Sequence, residues 1–181
     1  MRIFIYCWFI TFSIGSSFAS SVVEKREAVA KVYNAEIGTR ELTGNNDGKR
    51  VEEYLAFVGF KKGAPWCAAF VSWVGAQVKG VRYLVTAWSP SYGSSKFLVF
   101  KRGTKLKGVG QRGDVGTITG VVNGEWRISH VFFIDGLTKD GKLYRTVEGN
   151  TNSQGGRDGN GVFARLRSPN QIYTIADFIS Q

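Results

Sequence analysis

The hydrophobic positions change period about halfway along the chain. From Ser21 to Gly38 the apolar residues Val22, Val29, Val32, Tyr33 and Ile37 recur close to every 3.6 residues, the signature of a helix with one buried face. Gly38 supplies a stop. A polar loop, TGNNDG, follows, in which Asn45, Asn46 or Asp47 can cap a second helix. That helix carries Val51, Tyr54, Leu55 and Val58 on one face and ends near Gly59. A third begins at Pro65 or Trp66, where the missing N–H of proline costs nothing, and runs to Gly80. Its stretch CAAFVSWVGAQV is apolar on nearly all sides and predicts a buried central helix. The next segment, Val81 to Phe100, is ambiguous: VRYLVTAW fits strand or helix, and Ser89-Pro90 breaks it.

From Gly113 onward the period is two. GDVGTIT, RISHVFFID, KLYRTVEG, GVFARLR and QIYTIADFI read as five short strands. Asn123-Gly124, Asp140-Gly141 and the run NTNSQGGRDGNG separate them. Helices followed by strands predict an α+β fold, with N-terminal helices packed on a C-terminal antiparallel sheet of about five strands. Packing the buried helix on that sheet brings Cys67 against the strand that carries His130.

The start of the chain changes the picture of where it works. Met1-Arg2, the apolar run IFIYCWFITFSI, and Ser17 and Ala19 at the spacing of a cleavage site predict a secretory signal over residues 1–19. About a dozen apolar residues fall short of the roughly 20 that span a bilayer as a helix, so no stable membrane insertion is expected once the signal is removed. Residues 20–181 then read as a single domain, periplasmic or secreted, acting as a monomer. No internal repeat, proline-rich linker or heptad pattern divides it. Aromatic residues make up 14% and charged residues 21%, the composition of a globular protein rather than a disordered one.

The formal charge of +10 points to an anionic partner, which outside the cell means cell wall or outer leaflet. The basic residues are scattered, with Lys61–Lys62 and Lys101–Arg102 the only adjacent pairs after Arg50. No helix carries a basic stripe interleaved with aromatics, so nucleic acid is not the expected partner.

Candidate chemistry rests on two residues. Without the leader, Cys67 is the only cysteine and His130 the only histidine. Exported proteins pair their cysteines or avoid them, so a lone thiol calls for a reason. The first turn of a helix presents unpaired N–H groups and the positive end of the dipole, which favour a thiolate and can stabilise an oxyanion. Taken singly, Cys67 beside Ala68, Ala69 and Phe70 suits a packed core thiol. His130, on the strand face shared with Phe132 and Ile134, suits a structural role. One imidazole and one thiol are short of a metal's ligand set, so neither metal nor cofactor is expected. Asn45, Asn46 and Asp47 lack the spacing of a calcium loop, and capping is their simpler use. A catalytic histidine also needs an acceptor to set its tautomer. Glu148 and Asn150, two apart in one strand, point to the same side and can both face His130.

These strings, in this order, resemble the CHAP family, the cysteine- and histidine-dependent amidohydrolases and peptidases of the papain-like and NlpC/P60 superfamily. The likeness covers nearly all of residues 20–181: EIGTREL, NNDGKRVEEYL, PWCAAFVSWV, GDVGTIT, SHVFFIDG, TVEGNTN and GVFARLR. It implies a papain-like fold in which Cys67 is the nucleophile, His130 the base, Glu148 the orienting residue and Asn150 a supporting polar residue. Which of Glu148 and Asn150 contacts the imidazole stays open. It also implies an exported peptidoglycan hydrolase that cuts an amide bond of the wall peptide through a thioester, without a cofactor. An inert wall-binding module of the same fold, or an acyltransferase with the same nucleophile, are the competing readings. Aromatic content alone suggests Trp66, Trp88, Tyr92 and Trp126 as walls of the substrate site.

Overall fold

The structure, a computed structural model, describes residues 14–152 and 159–181. The expected leader, residues 1–19, lies outside this range except where the first helix begins. The helices are α1 (Ile14–Ala35), α2 (Lys49–Phe57), α3 (Cys67–Ala76) and the short α4 (Pro90–Gly93). The strands are β1 (Leu98–Lys101), β2 (Val115–Val122), β3 (Glu125–Leu137), β4 (Tyr144–Thr151), β5 (Gly161–Arg167) and β6 (Thr174–Ala176). Among the described residues no helix is long and apolar enough to cross a membrane.

The α+β class is observed, with six strands rather than five. Their order is β1-β6-β2-β3-β4-β5, and all neighbours are antiparallel. The additional strand, β1, falls at the end of the segment whose pattern is ambiguous between strand and helix. Residues 81–88 adopt neither; they run as irregular chain in which Tyr83 donates to Gly113 O at 2.5 Å and the amide of Arg82 to Phe178 O at 3.3 Å. Pro90 opens α4, using the fixed φ of proline in a first turn. The last expected strand, residues 171–179, is extended in the sheet only over Thr174–Ala176 and is preceded by a single 3-10 turn at Pro169–Gln171. The Asn123-Gly124 turn is where the alternation placed it. Both residues take positive φ, 54° and 83°, which suits a two-residue hairpin loop between twisted strands.

Several helix boundaries differ from the pattern, and α3 begins at Cys67, with Trp66 as its N-cap and Pro65 outside the helix. Asn45, Asn46 and Asp47 do not cap α2. Its N-cap is Gly48, at φ 100°, and Glu52 reaches back to accept from the Gly48 amide at 3.2 Å. Asp47 instead accepts from the Thr43 amide and hydroxyl at 2.9 and 2.7 Å. α3 ends at Ala76, four residues before Gly80. At Gly75 an added Cβ would lie 2.5 Å from Tyr83 Cβ, so the returning chain already presses on the helix there.

The main core lies between the helices and one face of the sheet. Val29 and Tyr33 of α1, Val51, Tyr54 and Leu55 of α2, and most of α3 pack with Val115, Val131, Phe133, Val147, Val162 and Ala176. Phe132, Ile134, Tyr144, Ile172 and Ile175 form a smaller cluster that partners the alternate positions of β3. Each large apolar side chain so buried contributes about 1.5–3 kcal/mol. The first helix is also tied down by charge. Arg26, nearly buried, donates to Asp114 at 2.7 Å and to Asp177 at 2.8 Å, joining α1 to the start of β2 and to the C-terminal segment. Burial outweighs Arg26 at Asp114 and pushes its carboxyl up to about 6.

Candidate active site

Cys67 is the first residue of α3, and Trp66 is the N-cap. The cap has no side-chain hydrogen bond of its own, so the chain before it must be held from outside. Asn150 does this. With its amide turned to match its surroundings, its oxygen accepts from the Trp66 amide at 3.0 Å. Its nitrogen donates to Gly159 O at 2.9 Å and Asn46 Oδ1 at 3.2 Å. Asn46 also meets Gly63, accepting from its amide at 2.9 Å. Glu41 receives the Trp66 indole N–H at 2.8 Å and the Asn46 amide at 2.9 Å. The polar loop read as a cap for α2 therefore braces the start of α3.

The expectation that Glu148 and Asn150 both face His130 holds for Glu148 alone. The register of β4 against β5 shifts between Glu148 and Thr151, and Asn150 takes a φ of 55°. That irregularity breaks the two-residue alternation and turns Asn150 away to Trp66. Gly149 sits where an added Cβ would be 2.8 Å from both the Trp66 and Phe70 rings, so β4 passes directly beneath α3.

His130 is buried on β3. Its Nε2 meets Glu148 Oε2 at 3.0 Å. Glu148 is held by Arg167 of β5, which donates from Nε to Oε1 at 2.8 Å and from Nη2 to Oε2 at 2.6 Å. Thr146 donates to Oε1 at 2.6 Å. All of these side chains are buried. Burial works against the Glu148 charge, yet Arg167 and His130 outweigh it and bring the carboxyl down to about 2. With Nε2 taken by Glu148, His130 Nδ1 meets no nitrogen or oxygen partner among the described residues, and the ring's remaining interaction is with the Cys67 thiol.

Cys67 and His130 are electrostatically coupled. Burial pushes the thiol up, but the imidazole and the backbone N–H groups of Val131 and Ala68 pull it below its ordinary value. Burial likewise opposes the imidazolium, and Cys67 and Glu148 overcome this and raise His130 to about 9. Each charged partner favours ionisation of the other, so the two titrate as a pair. The pairing favours a thiolate beside an imidazolium over what burial alone would allow.

The Cys67 thiol opens into a cleft of about 430 Å³. Phe60, Ala64 and Pro65 line it before Cys67. Thr86, Ala87, Trp88 and Ser89 line it from the irregular segment, and Val122, Arg127, Ser129 and Asn150 from the sheet. Of the four aromatic candidates only Trp88 belongs to this wall, and it is half exposed. Trp66 and Tyr92 are fully buried and cannot touch a substrate. Trp66 stacks on Tyr54 with centroids 5.6 Å apart, and the Tyr92 hydroxyl bonds Leu84 O at 3.1 Å. Trp126 is exposed on β3, outside the cleft lining.

Arg167, Thr146, Glu41 and Arg127 were not singled out by the sequence pattern. Arg167 ends a strand of alternating exposure, GVFARLR, where a terminal arginine reads as a solvated residue. Only a partner from another strand distinguishes it. Among the described residues no group of three or more His, Cys, Asp or Glu side chains is placed to hold a metal ion. Compared with protein-family models, with curated proteins and with solved structures, the chain matched none.

Proposed function

We propose that this chain is an exported peptidoglycan hydrolase that cuts an amide bond of the wall peptide by thiol catalysis, with a papain-like arrangement as in the CHAP family. One observation carries the reading. The one thiol among the described residues, at a helix start, is coupled to a buried imidazole whose far nitrogen is held by Glu148, itself clamped by Arg167. A core cysteine has no need of a cleft, a charged histidine or a buried ion pair behind it. The basic charge suits an anionic wall polymer.

In this mechanism the Cys67 thiolate adds to the amide carbonyl carbon, and the carbonyl electron pair moves to oxygen. The N-terminal turn of α3 lies beside that oxyanion with its positive dipole end. As the C–N bond breaks, the His130 imidazolium gives its proton to the departing nitrogen. The acyl group remains on sulfur as a thioester. Water then loses a proton to neutral His130, adds to the thioester carbonyl and expels the thiolate, which restores the ion pair. Glu148 touches no reacting atom; it is a positioning residue that fixes the ring and keeps it protonated. General acid–base action of this kind contributes about 10²–10⁴ in rate.

The test is clearing of purified peptidoglycan by the wild type and by Cys67→Ala, with mass spectrometry of the released fragments. The variant is expected to be inactive and the wild type to release new amino groups at one bond type. Clearing by Cys67→Ala at the wild-type rate overturns the reading.

A further inference from the structure

Among the described residues, the cleft that holds Cys67 has one charged side chain in its wall besides the thiol, Arg127, and no carboxylate. The Arg127 guanidinium lies over the Trp88 ring, 4.3 Å from its centroid. It forms no ion pair with a carboxylate among the described residues, and it is half-buried. An arginine stacked on an indole keeps its in-plane N–H donors free and loses little side-chain freedom when it binds.

A β-bulge brings Arg127 to this position. Ile118 of β2 pairs with His130 and Thr119 with Ile128, so Ser129 is an extra residue in β3. Gly120 then pairs with Arg127. Residues 118 and 120 point to the same side of β2, so the bulge turns Arg127 to the side that His130 occupies. Without it, three residues of separation would put them on opposite faces. At Gly120 an added Cβ would lie 3.0 Å from Ser129 Oγ, so glycine leaves room beside the bulge.

We propose that Arg127, braced on Trp88, binds a carboxylate of the substrate and selects peptides that carry a free carboxylate one or two residues from the scissile amide. The inference rests on the thiol chemistry proposed above and names its substrate class. A planar guanidinium pairs with a carboxylate through two parallel hydrogen bonds. A phosphate dianion would call for more cations than the described residues of this wall offer. The span follows from size: a compact space of about 430 Å³ is about 7–8 Å across. An extended chain covers that in about two residues, at roughly 3.3–3.6 Å each. The remaining wall, with Phe60, Pro65 and Val122, suits the apolar part of such a peptide.

The experiment alkylates Cys67 with four probes: N-iodoacetylglycine, N-iodoacetylglycylglycine and the C-terminal amide of each. The readout is the ratio of acid to amide rate, followed by intact mass. The wild type is expected to favour at least one acid about tenfold over its amide, with the preference falling as salt is added. Arg127→Gln is expected to bring the ratio to about one, and Arg127→Lys to retain part of it. Both variants are checked for the wild-type melting transition. A ratio unchanged in Arg127→Gln, or near one in the wild type, overturns the carboxylate site while leaving the thiol chemistry standing. Failure of every probe to label Cys67 overturns the reactive thiolate, and this inference with it.

Discussion

Arg167 and Glu148 are joined by two hydrogen bonds inside the protein, Nε to Oε1 at 2.8 Å and Nη2 to Oε2 at 2.6 Å. The pair matters because the same carboxylate carries His130. A buried carboxylate shared between an arginine and an imidazole has little freedom to rotate, so the ring inherits its orientation from a residue two strands away. In the proposed chemistry the thiol would therefore work against a preset base rather than one that must be ordered by substrate.

Arg167→Met removes one partner and leaves the Glu148 charge to His130 alone. Breaking a buried pair from one side costs about 3–5 kcal/mol, far more than a surface pair. Urea unfolding is expected to show a loss of this order. Arg167→Lys is expected to recover only part, since an ammonium cannot reproduce the two-pronged contact. In a cycle with Glu148→Gln the double variant should be more stable than the sum of single losses predicts.

Glu148 and His130 set a pH window. The Glu148 carboxyl falls from 4.5 to about 2 on folding, so its contribution is complete above about 4.5 and is lost as pH falls through about 2. The His130 imidazolium rises from 6.5 to about 9, so its contribution is complete below about 6.5 and is lost as pH rises through about 9. Melting temperature is expected to be highest between those limits as far as these groups decide it. Activity should decline on the alkaline side near pH 9, where His130 loses its proton. Glu148→Gln removes one cause of the rise, so this limb should move to lower pH. An alkaline limb unmoved by the substitution would remove Glu148 from the control of His130.

Gly149→Ala places a methyl 2.8 Å from Trp66 and Phe70, both fully buried. Overpacking of this kind costs about 1–3 kcal/mol. Because the clash lifts the start of α3, the rate of Cys67 alkylation is expected to fall in protein that is still folded. Circular dichroism and labelling on the same sample separate the two effects.

Asn150 gives a different signature. Asn150→Gly suits the φ of 55° but loses the bond to the Trp66 amide; Asn150→Ala loses the bond and adds strain. Both are expected to slow labelling of Cys67. Alanine should also lower stability by about 1 kcal/mol more than glycine. Neither should move the alkaline limb that Glu148 controls, since Asn150 does not touch His130.

The helices and most strands were legible because their faces are buried regularly. Val51, Tyr54 and Leu55 are fully buried at helical spacing, and Val131 and Phe133 separate from Phe132 and Ile134 into two clusters by strand alternation. The segment 81–88 was not legible. Its apolar residues are held by particular contacts, such as Tyr83 between Phe133 and Phe178, and not by a repeating face. The aromatic candidates failed for a related reason. A tryptophan serves a core as well as a cleft, and Trp66 and Trp88 differ only in what the fold puts over them.

The sequence by itself determined which groups were available: one thiol and one imidazole in residues 20–181, and Glu148 and Asn150 two apart in a strand. It also placed a helix start within two residues of Cys67, because helical periodicity is a local signal, although Pro65 lies outside the helix rather than in its first turn. Only the tertiary structure decided how these groups are used. A register shift after Glu148 sent Asn150 to Trp66 and left Glu148 with His130. A bulge at Ser129 turned Arg127 into the cleft, and a salt bridge from β5 made Arg167 part of the site. Alternation tells which side a residue takes only while pairing stays regular. At a bulge the side is set by the partner strand, which no local pattern records.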